Sequence, residues 1–201
     1  MKKTILILIA VIWALSGLSS HAHTGKEPYE VRIGWGGFPI QDLEIYGDGI
    51  LRDIKPFYDP VDLDHIYGTG TGKLYGTGII SAEFSIHFKK WFSLAIEAGI
   101  NGMWRNRFDK YDGTIIDKMH GISVSVIPHA RFYWFNRKNI RLYSGIGIGM
   151  SLGAFDGKSG IYLTGQISPI GITAGQKVFF FAEQSSGTAY FGGKFGVGYR
   201  F

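Results

Sequence analysis

The chain contains no cysteine. That absence excludes a disulfide framework and a thiolate metal site. It also leaves no residue to carry a sulfur-linked lipid anchor after the N-terminal apolar run. Long hydrophobic stretches are equally scarce. Only residues 5–15 form one, and it falls short of the roughly 20 apolar residues a bilayer-spanning helix needs. Charge of one sign is weak: the formal net charge is +5, scattered along the chain and partly owed to Lys2 and Lys3. That is too little to argue for nucleic acid. Gly68-Thr-Gly-Thr-Gly72 lacks the Gly-Lys-Ser/Thr ending and the following helix of a phosphate-binding loop.

What is present at the N-terminus has the grammar of export. Lys2 and Lys3 form a basic n-region, residues 5–15 an apolar h-region, and Ser20 and Ala22 the small residues wanted before a signal-peptidase cut. The expected organisation is a cleaved signal peptide over 1–22, a short periplasmic segment over 23–28, and one domain over 29–201. Within that domain glycine is abundant (30 residues), aromatics reach 15%, and mean hydropathy is near neutral at +0.07. In an exported chain this composition suits a membrane β-barrel, whose signal is alternation along each strand and not a solid apolar block.

Alternation recurs along the domain in segments of about ten residues. In 140–153, Ile140, Leu142, Ile146, Ile148, Met150 and Leu152 share one face, with Arg141, Tyr143 and three glycines among those opposite. In 80–88, Ile80, Phe84, Ile86 and Phe88 alternate with Ser81, Glu83, Ser85 and His87. The same pattern runs through 29–35, 92–103 and 122–134. In 161–174 the phase slips around Ser168-Pro169, where a β-bulge is expected. Segment 178–184 is short and aromatic. Segment 188–201 sets Ala189, Phe191, Phe195, Val197, Tyr199 and Phe201 opposite Tyr190, Lys194 and Arg200. Eight strands result, the even number that single-chain bacterial barrels require.

The connections are asymmetric. Those at 88–91, 136–139 and 175–177 are short, while 39–73 and 105–119 are long and 155–159 and 184–187 are brief. Short turns at a periplasmic end and longer excursions outside are expected of this class. Aromatic residues at strand ends, Trp35, Trp91, Trp104, Trp134, Tyr199 and Phe201, suit two interfacial girdles.

The inward face carries acids (Glu30, Glu83, Glu97, Glu183) and bases (Arg32, Arg131, Arg141, Lys194, Arg200) in rough balance. Eight strands leave a lumen that side chains can fill, and charges removed from water must pair. A packed ionic network is therefore expected, with Glu83, Glu97, Arg131, Arg141, Glu183 and Lys194 as its members. Glu83, Ser85 and His87 share a face and invite a hydrolase reading. Strand spacing of about 7 Å between alternate residues argues that they do not touch, and no catalytic residue is assigned. Asp59, Asp62, Asp64 and His65 cluster in the long connection, but their spacing matches no metal loop. Asp109 to Gly113 reads as a turn. No metal or cofactor is expected.

Lys194-Phe-Gly-Val-Gly-Tyr-Arg-Phe201 resembles the C-terminal signal that barrel-assembly machinery recognises, with Lys194, Gly196, Tyr199 and Phe201 in the recognised places. The domain as a whole resembles small eight-stranded outer-membrane barrels of the OmpX and OmpA transmembrane type. It looks closest to the broad outer-membrane β-barrel family of Bacteroidetes. The resemblance implies an all-β, up-and-down transmembrane barrel in a bacterial outer membrane, with a filled polar interior, one long extracellular loop and both termini periplasmic. It implies partners among membrane lipids and lipopolysaccharide, the assembly machinery during biogenesis, and a larger outer-membrane protein. The expected function is non-enzymatic interaction through the loops 39–73 and 105–119. The alternatives are a lipid A-modifying enzyme and a narrow pore or hydrophobic-ligand conduit.

Overall fold

The computed structural model describes residues 28–40, 42 and 69–201. The expected signal peptide, most of the 23–28 segment and the acidic cluster Asp59, Asp62, Asp64 and His65 lie outside the described residues. The strands are β1 (Tyr29–Phe38), β2 (Thr69–Thr71), β3 (Tyr75–Gly76), β4 (Ile79–Lys89), β5 (Phe92–Asp109), β6 (Ile115–Asn136), β7 (Ile140–Phe155), β8 (Lys158–Gly175), β9 (Val178–Gly187) and β10 (Phe191–Arg200). β1 and β4 to β10 pair antiparallel in chain order, and β10 returns to β1 with Tyr199 opposite Val31 and Val197 opposite Ile33. The result is a closed eight-stranded barrel. β2 and β3 lie outside it, as short additions to β5 above the end of β4. Among the described residues no helix is long and apolar enough to cross a membrane.

Period-two alternation sets which side chains face the lumen, because successive Cβ atoms point to opposite faces of a strand. Polarity is reversed relative to a soluble core. Glu30, Arg32, Glu83, Glu97, Arg131, Glu183, Lys194 and Arg200 are buried inside. Ile33, Ile148, Ile161, Leu163 and Phe180 stand outside at 63–73% exposure. Where neighbouring backbones approach most closely the position is glycine. A Cβ on Gly196 would lie 2.0 Å from the Ile33 carbonyl oxygen, and one on Gly149 would lie 2.1 Å from that of Val126.

The phase slip at Ser168-Pro169 is a register shift on both sides of β8, between Tyr143 and Gly145 on β7 and between Ile167 and Ile170 against β9. Ser144 Oγ donates to the Pro169 carbonyl across it at 2.6 Å. Proline's missing N–H leaves a strand no ladder bond there, which is why the bulge settles at this residue.

Three expectations need correction. The stretch 105–119 is not an irregular loop: β5 and β6 continue their ladder through Arg105–Met119, Asn106–Lys118 and Arg107–Asp117, leaving a turn only at 110–114. Its apolar side chains, Phe108, Ile115, Ile116 and Met119, do not alternate regularly with its polar ones, so no period-two pattern marks it as strand. Residues 184–187 belong to β9, and the connection is 188–190. Ala189 therefore does not face outward with Phe191; it is buried with Ile79, Ile127 and Tyr190 in an apolar cluster near the long-connection end of the lumen. The turn expected at Asp109 to Gly113 is present. Asp112 Oδ1 accepts from the Thr114 backbone N–H and hydroxyl, which holds its carboxyl below the usual range. Gly113 takes φ 72°.

Candidate functional site

The lumen is the site the fold constructs most deliberately, and it is organised in tiers along the barrel axis. Near the short-turn end, Glu30 on β1 is the centre. Arg32, two residues along the same face, donates to it, and Arg200 on the adjacent β10 donates from Nε at 2.9 Å. Arg200 also donates to the carbonyls of Gly175 and Gln176 and to Thr173 Oγ1, tying the turn between β8 and β9 to the last strand. Its guanidinium lies 3.9 Å from the Phe179 ring centroid. His87 Nε2 stands 3.5 Å from Glu30.

In the middle tier, Arg131 on β6 donates from both terminal nitrogens to the two oxygens of Glu83 on β4, the fork geometry guanidinium offers a carboxylate. Ser85 Oγ donates to the same Glu83 at 3.0 Å. Tyr143 joins this tier to its neighbours: it accepts from Arg32 Nη1 at 2.8 Å and donates to Glu183 Oε2 at 2.8 Å. Ser168 and Ser185 complete the coordination of Glu183 at 2.8 and 2.9 Å. In the third tier Lys194 Nζ donates to both oxygens of Glu97 at 2.9 and 2.8 Å and to the Tyr190 hydroxyl at 2.8 Å. His129 Nε2 lies 3.3 Å from Glu97.

Five of the six expected network residues, Glu83, Glu97, Arg131, Glu183 and Lys194, are thus brought together. Arg141 joins the first tier at the short-turn mouth, partly exposed, with Nη1 3.8 Å from Glu30, and its buried Nε has no hydrogen-bond partner among the described residues. Two elements of the network were not foreseen: the hydroxyls of Tyr143 and Tyr190, which bridge charges, and Thr173, Ser168 and Ser185, which fill remaining lone pairs. Their inward phase was available; their partners, on strands far away in sequence, were not.

The expectation that Glu83, Ser85 and His87 fail to touch is half wrong. Cα spacing keeps backbones apart, yet the Glu83 side chain bends back far enough to accept from Ser85. The chemistry is still not that of a nucleophile and base. Ser85 donates its hydroxyl hydrogen bond to a carboxylate clamped by arginine, and His87 faces Glu30. Among the described residues no group of three or more His, Asp and Glu side chains is arranged to hold a metal ion.

Above the ionic tiers, a residue of the long connection enters the lumen. Asp42 is buried, and its Oδ2 accepts from Asn101 Nδ2 at 2.8 Å and Ser123 Oγ at 2.5 Å. Burial pushes this carboxyl above the usual aspartate range, partly offset by those two bonds. A raised pKa means the docked segment holds its proton more tightly than the undocked one. Docking is therefore strongest in acid and is lost as pH rises through the docked pKa. In a chain carrying Ile40→Cys as its single thiol, maleimide labelling, corrected against Gly113→Cys, is expected to accelerate as pH rises above the usual aspartate range of about 4. Adding Asp42→Asn should flatten that profile; an unchanged profile would dissociate Asp42 from the docking.

At the C-terminus, Lys194 belongs to the ionic network, Gly196 to the close β1–β10 contact, and Tyr199 and Phe201 stack outside with centroids 6.1 Å apart. No protein-family model matches the chain, and no curated protein matches it.

Proposed function

We propose that this chain is an integral outer-membrane β-barrel whose work is non-enzymatic and is done by the structures at its long-connection end. The observation that carries the reading is the reversed polarity: a continuous apolar exterior around an interior whose charges are paired. In water that exterior would be an aggregation liability far larger than monomers tolerate; in hydrocarbon it is the surface a closed barrel needs. Aromatic pairs at both rims add support, with Trp91 stacked on Phe132 at one end and Tyr75 on Trp104 at the other. On this reading Lys194, Gly196, Tyr199 and Phe201 serve as the assembly signal, both termini are periplasmic, and a surface partner or lipopolysaccharide meets the opposite end.

The contact surface favoured there is the β5–β6 hairpin. It runs about six residues, roughly 20 Å, past its barrel neighbours, and it exposes Tyr111, Ile115 and Ile116 at 79%, 56% and 53%. The paired lumen disfavours the pore reading, and the Ser85 geometry disfavours hydrolysis.

An epitope inserted at Asp112-Gly113 should be bound by antibody on intact cells, and one at Arg137-Lys138 only after the outer membrane is opened. A partner that copurifies from mild detergent with the native chain should be lost when 110–116 is replaced by a tight turn. Recovery of the protein in the soluble periplasmic fraction would overturn the reading.

A further inference from the structure

The two ends of the barrel differ in charge as well as in length. At the short-turn end the exposed ionisable side chains among the described residues are Lys89 at the end of β4 and Lys90 in the turn after it, Arg137 and Lys138 between β6 and β7, and Lys177 between β8 and β9. Each of the three turns carries at least one cation, and among the described residues no acidic side chain is exposed there. Among the described residues the acid nearest this end, Glu30, is buried and already shared by Arg32, Arg200 and Arg141. The long-connection end is mixed, with Asp109, Asp112, Asp117 and Asp156 among Arg107, Lys110, Lys118 and Lys158.

The cations also stand at a defined depth. Lys89 Nζ lies 5.4 Å from the Trp91 ring centroid and the Arg137 guanidinium 6.0 Å from that of Phe135. Trp91, Trp134, Tyr199 and Phe201 form the aromatic rim immediately beside them, each outward-facing and 44–60% exposed. Long basic side chains over an aromatic rim lay their stems on apolar surface and present their charged heads just beyond it.

From this ring we infer that the short-turn end is a binding collar for the phosphate of anionic phospholipid headgroups. It rests on the membrane reading above, and it adds the lipid class. Turns spread around a rim suit many separate headgroups arranged about a cylinder, and a basic segment at a lipid surface gains attraction with every added cation.

The test uses the full chain with Trp13→Phe, Trp35→Phe and Trp104→Phe, which leaves Trp91 and Trp134 beside the collar as reporters. It is reconstituted into phosphatidylcholine vesicles in which either phosphatidylcholine or phosphatidylglycerol is brominated. Tryptophan quenching should show phosphatidylglycerol preferred roughly five-fold, with the preference shrinking as salt rises. K89Q/K90Q/R137Q/K138Q/K177Q should bring it near unity, while K110Q/K118Q/K158Q at the other end leaves it intact. Equal quenching by both lipids, or a preference that survives the five turn substitutions, overturns the collar. Competition by inorganic phosphate beyond that of chloride at matched ionic strength would assign the site to a soluble phosphate compound and overturn the lipid assignment. Quenching by neither lipid would instead remove the membrane reading on which the collar rests.

Discussion

Lys194→Met is expected to lower the unfolding free energy of the barrel by about 3–5 kcal/mol, and adding Glu97→Leu is expected to recover most of that loss. The asymmetry follows from burial. Both side chains are at most 2% exposed, and Lys194 supplies two of the hydrogen bonds on Glu97 as well as a contact 3.7 Å from Glu183. Removing the ammonium leaves carboxylates in a low-dielectric lumen with part of their compensation gone, and the desolvation cost of an unpaired ion exceeds the net value of the pair. Removing both partners takes away the cost together with the attraction. What remains is the loss of the Lys194 contacts with Glu183 and the Tyr190 hydroxyl and of the Glu97 contacts with His129 and the Tyr190 hydroxyl, a smaller term. Urea titrations in detergent micelles, followed by tryptophan fluorescence for the two single variants and the double, close the cycle. Additive losses would mean that Glu97 and Lys194 are not coupled, and the network would then be a set of independent polar contacts.

Ile148→Arg should separate a membrane barrel from a water-soluble one by sign of effect. Ile148 is outward-facing in the middle of β7 and 64% exposed. In water, an arginine on an exposed strand position changes stability by roughly 0.5 kcal/mol at most, and it improves solubility. At the midplane of a bilayer the same change costs about 2–4 kcal/mol. Ile161, equally exposed but three residues from the start of β8, should tolerate arginine at about 0–1 kcal/mol, because a long side chain near the rim reaches the interface. Refolding yields into lipid vesicles and reversible urea unfolding there would read both. Equal, negligible effects at the two positions would contradict the depth dependence and the membrane placement together.

The inward and outward sets of β4, β5, β7 and β10 were legible because a strand has only one period, and a residue's face follows from counting. The bulge at Ser168-Pro169 was legible for the same reason, as a break in the count. The strand character of 105–119 was not, since polar and apolar residues fall irregularly along both strands of the projecting hairpin and leave no alternation to count. Nor was the burial of Ala189, which depends on where β10 begins and not on its side chain. The docking of Asp42 left no local trace, because its partners Asn101 and Ser123 lie on other strands and its own neighbourhood reads as a charged loop.

The interior shows the same division. That Glu97 and Lys194 point into the lumen is a property of each strand taken alone. That they meet, 97 positions apart, rather than Glu97 meeting Arg131, depends on how far each strand is staggered against the next around the closed sheet. Stagger is a collective quantity: it is set by the closure of β10 on β1, by the bulge in β8, and by glycines such as Gly149 and Gly196 where backbones come closest. The sequence by itself determined a β-barrel pattern, its phase and its two unlike ends, since these follow from local periodicity and composition. Only the tertiary structure decided which buried charges satisfy one another, because pairing energy falls off within a few ångströms and no strand carries the position of its partners.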